Sequence, residues 1–490
     1  MVEEFIAKKR YFFAGMNIRR LRKGTGAEKF LRFGWRPAVV GMVLFLAGCN
    51  APKEHLKQFN CMYQQGNLAG ARVFCEQEIK DPNKPRGEDL LWALQLGAVS
   101  RIQKDYSGST LWFDRCEDMF KVFDPQSRET DIIGTTLVND NIIPYRGWTY
   151  DGVLVNTYKA LNFMAQGDND NARIEFNRAM ERQTRAKEKF SAEIQKEKDK
   201  KDKANAQRQV DYNKTTNSPD VQQKIKEAYP GLYDFEAYPD FVNPFSTYLA
   251  GVFFTAIGDP AKARDLLRES TGMLSGNRYV QSDFEAAEQW MGTNKAPEPT
   301  VWVFFENGVG PTKEEFRVDL PLFLFTGKVY YAGIALPKLV QRQAACERLT
   351  IQCGGNYYPT EIVGDMDRVV QTEFSKEYPW ILTRAIIAAG AKAAAQYAMT
   401  EQNNSSGAQL AAIAMAMYSF ATTAADVRIW SAMPKNFQAA KMPMPADGKV
   451  TIQTPQGYLY PVTIRPCRYA IVYIKIVSLS NEPAVDVMTY

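Results

Sequence analysis

The apolar residues of this chain follow two rhythms. Over 49–293 they recur at helical spacing; over much of 294–490 they alternate or run on as strands do. One pattern returns within the first stretch: a glycine, mostly followed by Asn or Asp, with a small residue five positions on. It reads "GNLAGA" from Gly66, "GDNDNA" from Gly167 and "GDPAKA" from Gly258, with a degenerate "KDYSGS" from Lys104. Seven residues before each turn stand Phe59, Gly97, Ala160 and Gly251; nine after it stand Cys75, Phe113, Phe176 and Leu267. A tight turn draws on the backbone freedom of Gly and the local hydrogen bonding of Asn or Asp. Helices that fold back on one another need a small residue at closest approach, here Ala71, Ser109, Ala172 and Ala263, and a bulky one a turn later. The pattern predicts four helical hairpins.

The unit resembles the tetratricopeptide (TPR) repeat, a helix-turn-helix of about 34 residues. The first two copies lie 38 residues apart, close to tandem, while the later gaps of 63 and 91 hold insertions. A generic set of helical hairpins gives the same pattern. TPR arrays stack into solenoids whose concave face binds peptides or proteins. One insertion, near 185–225, opens on "RAKEKFSAEIQKEKDKKDKANAQRQ", charged all round with hardly any apolar stripe. It reads as a solvated helix extension or a mobile insert.

After "NKAPEP" (294–299) the period changes. "VWVFFENG" and "EFRVDLPLFLF" read as strands either side of a turn, "KVYYAGIALP" as a third and "NYYPTEIV" as a short fourth. Helices are expected over 364–378, 379–400 and 408–428, the second Ala-rich. "KVTIQTPQ", "YLYPVTIRP" and "YAIVYIKIVSL" return to strands. The predicted class is α+β: TPR-like hairpins over 49–293, then over 294–490 a small antiparallel sheet with Ala-rich helices packed on it.

The first 48 residues stand apart. "PAVVGMVLFLAG" (37–48) is an uncharged run too short for a span, which needs roughly 20 residues. It follows a basic stretch and ends at Leu46-Ala47-Gly48-Cys49, which resembles the bacterial lipobox. Residues 1–48 are therefore read as a lipoprotein signal that is removed, with Cys49 as the lipidated N-terminus; translation starting at Met16 rather than Met1 gives a more ordinary leader. The charge argument changes with it. Ten Lys/Arg against three Asp/Glu lie in 1–48, so their loss takes +7 away and turns the overall +5 into −2. The basic balance is then no argument for nucleic-acid binding. An exported chain meets an oxidising compartment. Cys61 with Cys75, and Cys346 with Cys353, are the candidate disulfides, although spacing does not fix connectivity. The spacings do not resemble a zinc site. No later segment reads as a span; 409–425 reads as a packed, small-residue helix.

Candidate chemistry is sparse. The one histidine, His55, sits six residues past the anchor and reads as an exposed linker residue. No G-x-S-x-G, P-loop or H-E-x-x-H occurs, and no carboxylate spacing marks an acid/base pair. Glu306, Asn307, Lys313 and Glu314 surround a turn set by Gly308, Gly310 and Pro311; Asp426, Arg428 and Trp430 end a predicted helix. Glu306, Asn307, Lys313, Asp426, Arg428 and Trp430 form the candidate interaction groove, against a plain reading as salt bridges and packing.

"FENGVGPTKEEFRVDLP" (305–321), "TEFSKEYPWILTRAI" (372–386) and "ADVRIWSAMP" (425–434) resemble segments of a largely uncharacterised family of bacterial TPR-like envelope lipoproteins. The resemblance covers most of 49–490 and implies architecture more than activity. It also hints at a role beside cell-wall synthesis. The expectation is a non-enzymatic interaction scaffold, without cofactor or metal, anchored by covalent lipid at Cys49. Asn50 after the cysteine points to the outer membrane, periplasmic face, with unknown envelope proteins as partners. The alternatives are a structural subunit of an envelope assembly or a carboxylate-based hydrolase.

Overall fold

Each of the four turns closes one helix and opens the next in the same way. The helices in question are α1 (Ala51–Gln64) and α2 (Leu68–Glu78), α3 (Leu90–Ile102) and α4 (Tyr106–Val122), α5 (Thr149–Ala165) and α6 (Asn169–Ala206), and, further on, α9 (Pro244–Ala256) and α10 (Pro260–Met273). The Gly66 amide bonds back to Tyr63 O at 3.0 Å and the Asn67 amide to Met62 O at 2.9 Å; Lys104–Asp105, Gly167–Asp168 and Gly258–Asp259 repeat both bonds. This closure needs a left-handed residue, and the four φ values are +72°, +62°, +76° and +83°. The next side chain then caps the second helix. Asn67, Asp105, Asp168 and Asp259 each accept from the amide three residues on, at 2.9–3.2 Å. Lys104 holds the left-handed position without being glycine, at a backbone cost of about 1–2 kcal/mol.

The flanking pattern also has a physical meaning. A Cβ on Gly97 would lie 2.6 Å from the Phe113 ring, and one on Gly251 would lie 2.8 Å from Leu267. Ser109 Oγ donates to Gly97 O at 2.8 Å. Successive pairs are also stitched alike. Arg72, six residues past its turn, pairs with the capping Asp105 of the next turn at 2.9 Å, and Arg173 pairs with Asp259 at the equivalent positions.

The computed structural model describes residues 51–82, 86, 89–122, 144–206, 211–232, 235–238, 242–323, 329–401 and 424–490. The signal, Cys49 and most of the expected 408–428 helix lie outside the described residues. The remaining elements are α7 (Tyr212–Thr216), α8 (Pro219–Ala228), α11 (Arg278–Thr293), β1 (Thr300–Asn307), β2 (Thr312–Phe323), β3 (Val329–Val340), β4 (Thr350–Cys353), β5 (Asn356–Pro359), β6 (Glu361–Asp365), α12 (Met366–Glu401), β7 (Asn436–Pro443), β8 (Lys449–Gln453), β9 (Leu459–Thr463), β10 (Tyr469–Ile476) and β11 (Ala484–Thr489). The protein is α+β.

A five-stranded sheet, β11-β10-β1-β7-β6, lies at the centre. Along β1 and β10 alternate side chains serve two cores. Trp302, Phe304, Ile471 and Tyr473 face the helices; Val301, Val303, Phe305, Val472 and Ile474 face a second sheet, β5-β4-β8-β9, and its Ile351, Val450 and Ile452. Every residue of α3 and α9 is buried, as is most of α5. Sequences such as "LLWALQLGAVSRI" and "PFSTYLAGVFFTA" are apolar on most of their circumference because a helix partner covers one side and the sheet covers the other. Phe245 of α9 stacks on Phe437 of β7, ring centres 3.6 Å apart. A third cluster joins β2–β3, α8 and α12 through Val221, Ile225, Leu320, Ile334, Phe374 and Tyr378.

Several expectations are corrected. Among the described residues there are three sheets, not one, and the central β1–β10 pair is parallel. A parallel pair needs a long crossover, and here it is most of the second half. β2 pairs with β3 and not with β1. "NYYPTEIV" divides at Thr360 into β5 and β6, which belong to different sheets. The helices expected on either side of 378/379 are one, α12, which carries Pro379 in its interior. An interior proline costs about 3 kcal/mol, opposed by burial of Tyr378, Ile381 and Leu382. Residues 424–430 belong to no helix or strand, so Asp426, Arg428 and Trp430 end no helix there. The end of the 185–225 insertion is no surface appendage, since α8 packs on β2 through buried Val221 and Ile225. The switch from helix to strand falls between Thr293 and Thr300, yet Pro52–Tyr490 forms one compact unit and the main core runs through both parts.

Glycine substitutions separate these effects. Gly258→Ala, with nothing within 4 Å of the added carbon, is expected to cost about 1 kcal/mol in backbone strain alone. Gly251→Val is expected to cost about 2 kcal/mol by overpacking against Leu267. Denaturant midpoints measure both, and a neutral Gly251→Val would contradict the packing of α9 on α10.

Candidate functional site

The apolar run of β1, Val301 to Phe305, gives way to a charge at Glu306. Glu306 shares the helix-facing side of the strand with Trp302 and Phe304, and is fully buried. An isolated buried carboxylate is prohibitively costly, and four side chains answer it. Arg101 of α3 pairs with Oε2 at 3.0 Å, and Lys475, its register partner on β10, pairs with Oε1 at 2.5 Å. Tyr158 of α5 donates to Oε1, and Tyr473 of β10 donates to Oε2 at 3.1 Å. The Arg101 guanidinium also lies 4.6 Å from the centre of the Tyr473 ring and 4.9 Å from that of Tyr158. Burial alone would raise the Glu306 pKa, but Lys475 and Arg101 hold it below the ordinary carboxylate value. The ring of Trp430 stands edge-on to Tyr158 and Phe113, at 5.8 and 6.0 Å.

A second polar cluster lies where α5, α12, β2 and the 424–428 segment meet. Lys313 of β2 is buried, its ammonium 4.1 Å from the Trp148 ring centre and 5.5 Å from that of Phe374. The first turn of α5 is held by two carboxyls. Asp151 accepts from Tyr145 OH at 2.6 Å and from the Trp148 amide at 2.9 Å. Glu373 accepts from the Thr149 and Tyr150 amides at 2.7 and 3.2 Å. Both sit at a helix N-terminus, where negative charge is favoured, yet burial wins and raises each pKa to about 7. Burial likewise pulls Lys313 below the ordinary lysine value, only partly offset by Asp426, Glu377 and Asp151. Asp426 is gripped by the Arg428 guanidinium at 2.8 and 2.9 Å, which holds it below the ordinary carboxylate value against the opposing effect of burial.

The six predicted groove residues are therefore divided. Glu306 and Trp430 belong to the filled core between helices and sheet; Lys313, Asp426 and Arg428 belong to the second cluster. Asn307 does neither: its side chain donates to Cys346 O at 2.8 Å and accepts from the Ala345 and Cys346 amides, locking the loop after β3. Four of the six, Glu306, Asn307, Lys313 and Trp430, are buried, so they do not line one open groove. The two candidate disulfides are absent: all six described cysteines are free thiols. Cys346 and Cys353 point their sulfurs at different carbonyls, Arg348 O and Pro443 O, and Cys61 is exposed while Cys75 is buried. His55 is no linker residue but part of α1, bonded to Glu78 of α2 at 2.9 Å. Among the described residues no group of His, Cys, Asp or Glu is arranged to hold a metal, and no helix is long and apolar enough to cross a membrane.

Sequence reading missed Arg101, Tyr158, Tyr473 and Lys475, and also Trp148, Asp151 and Glu373. A signal existed for some. Lys475 interrupts "YAIVYIKIV" and Arg101 ends an apolar helix, and a charge inside an apolar run is seldom buried without a partner.

Two variants test this electrostatic reading. Glu306→Gln leaves Arg101 and Lys475 without a counter-charge and is expected to cost about 3–5 kcal/mol by chemical denaturation; a loss under about 1 kcal/mol would contradict the hub. Asp151 and Glu373 lose their protons near pH 7 when folded, against 3.8 and 4.5 as ordinary values. The stability they contribute is complete below about pH 4, declines as pH rises, and is gone above pH 7. Asp151→Asn should flatten that decline in a series of denaturant midpoints from pH 4 to 8, and an unchanged slope would refute the assignment. Comparison with known proteins supplies no identity: no family model, curated protein or solved structure matches the chain, and the functional reading rests on its own residues and geometry.

Proposed function

We propose that this chain is a bacterial envelope lipoprotein, held by acyl chains on Cys49 at the periplasmic face of the outer membrane, and that it works as a non-enzymatic, TPR-like interaction scaffold. The order of basic stretch, short apolar run and Leu46-Ala47-Gly48-Cys49 supports the anchor. Two or more acyl chains give lasting attachment. The observation that carries the scaffold reading is the recurrence of one turn chemistry in four helix pairs, with Arg72–Asp105 and Arg173–Asp259 joining successive pairs at equivalent positions.

The partner's place follows from what is already covered. The inner helices α3, α5 and α9 are buried beneath the chain's own sheet, so the outward faces of the second helices remain. Seven residues past the first three turns stand Val73, Leu111 and Ile174, exposed by 51%, 51% and 46%. The fourth copy carries Asp265 there. Recurrent exposed apolar positions of this kind mark interaction surfaces more than scattered ones do. A hydrolase using Glu306 is disfavoured, because four partners saturate that carboxylate inside a filled core.

The experiment has two arms. Cys49→Ala should release the protein from the membrane fraction; retention would remove the anchor. A photocrosslinking residue at Leu111 or Ile174 should capture the same discrete envelope protein, whereas one at Tyr357, on the far sheet, should not. Absence of any discrete product at both helix positions would remove the scaffold surface.

A further inference from the structure

The four-stranded sheet β5-β4-β8-β9 gives its inner face to the central sheet, and alternation turns every second side chain outward. The register sets these outward residues in two complete rows. One runs Tyr357–Gln352–Thr451–Pro461, the next Pro359–Thr350–Gln453–Leu459. None of the eight is charged, although 23% of the chain is. Lys449, beyond the rows, is the one charge on these four strands. Apolar groups take the four corners and polar groups the centre. Tyr357 and Leu459, at opposite corners, are exposed by 65% and 54%. At the centre Gln352 Nε2 donates to Gln453 Oε1 at 2.9 Å. That bond fixes both amides and leaves an acceptor, Gln352 Oε1, and a donor, Gln453 Nε2, to face a ligand.

We propose that this face binds a neutral, N-acetylated glycan chain. Its chemistry argues against the other occupants of an exposed sheet. Strand addition is opposed at both edges, because β5 and β9 carry Pro359 and Pro461, which lack an amide for a new ladder. A protein interface buries an apolar centre inside a polar rim, and here that order is reversed. A nucleic acid or an anionic lipid surface draws on Lys and Arg, which the two rows lack. A sugar chain fits what is present. The C–H face of a pyranose ring is an apolar surface, and Tyr357 offers an exposed aromatic ring to it. Hydroxyl and acetamido groups are uncharged donors and acceptors. An acetamido N–H and C=O match Gln352 Oε1 and Gln453 Nε2, and sugar hydroxyls match those of Thr350 and Thr451. With strands about 4.8 Å apart a row is about 14 Å long, so the face takes an oligosaccharide rather than a single sugar. The site is separate from the second-helix surface and needs neither the anchor nor a partner protein.

The test is calorimetric titration of the full chain with chitotetraose, and with cellotetraose as the same kind of chain without acetamido groups. Saturable binding of chitotetraose is expected, with a dissociation constant of about 1 mM or tighter. Cellotetraose should bind about tenfold more weakly, because the amide pair is left without its partners. Tyr357→Ala, at a position exposed enough to leave the core intact, should weaken chitotetraose about fivefold. Leu111→Ala, on the second-helix surface, should change nothing, which keeps this site distinct from the scaffold reading. No binding of chitotetraose at about 10 mM would overturn the proposal, as would equal binding of cellotetraose or full affinity in Tyr357→Ala. A dimer of the chain that dissociates in Tyr357→Ala and binds neither sugar would overturn it in favour of a second copy.

Discussion

The buried carboxylate of Glu306 is the interaction on which the rest of the structure depends. It sits on the central strand, and its four partners come from α3, α5 and β10. A charge in this position is tolerable only if every partner is delivered together. The helix pairs, the parallel β1–β10 register and the closing strand of the sheet are therefore mutually required. Around this hub the packing is apolar and aromatic, with Trp302, Phe304, Tyr158, Trp430 and Phe113 filling the space between helices and sheet.

That arrangement changes what helical repeats can do in this chain. A repeat array usually leaves its inner helices for a partner. Here α3, α5 and α9 spend that surface on the sheet, through contacts such as Phe245 on Phe437 and Arg101 on Glu306 at 3.0 Å. The sheet's other face is spent on the four-stranded sheet. What stays outside in the repeats is the second-helix surface, with its exposed Val73, Leu111 and Ile174.

How much was legible in the sequence follows the range of each interaction. The turns were readable because glycine and the capping Asn or Asp act within a few residues; even the degenerate Lys104 copy adopts the same hydrogen bonds. The small–bulky pairs Gly97–Phe113 and Gly251–Leu267 were readable because a hairpin fixes their spacing. Strands β1, β3 and β10 announced themselves by apolar runs, whereas β7, "NFQAAKMP", hides because it is short of β-branched residues. Strand partners were not legible, since β1 meets β10 across more than 160 residues. Pro379 misled for a local reason that tertiary burial overrode. Glu306 and Lys313 were noticed as charges near a turn, but alternation along β1 and β2, not the turn, decides where each side chain points.

The central claim is that helices and sheet form one cooperative body joined at Glu306. Native-state hydrogen exchange measures this directly, because amides that open together share one opening free energy. The amides of α3, α5 and α9 should match those of β1 and β10, and in Glu306→Gln all should fall by the same amount. Helix amides that keep their protection while β1 and β10 open at a lower free energy would contradict it.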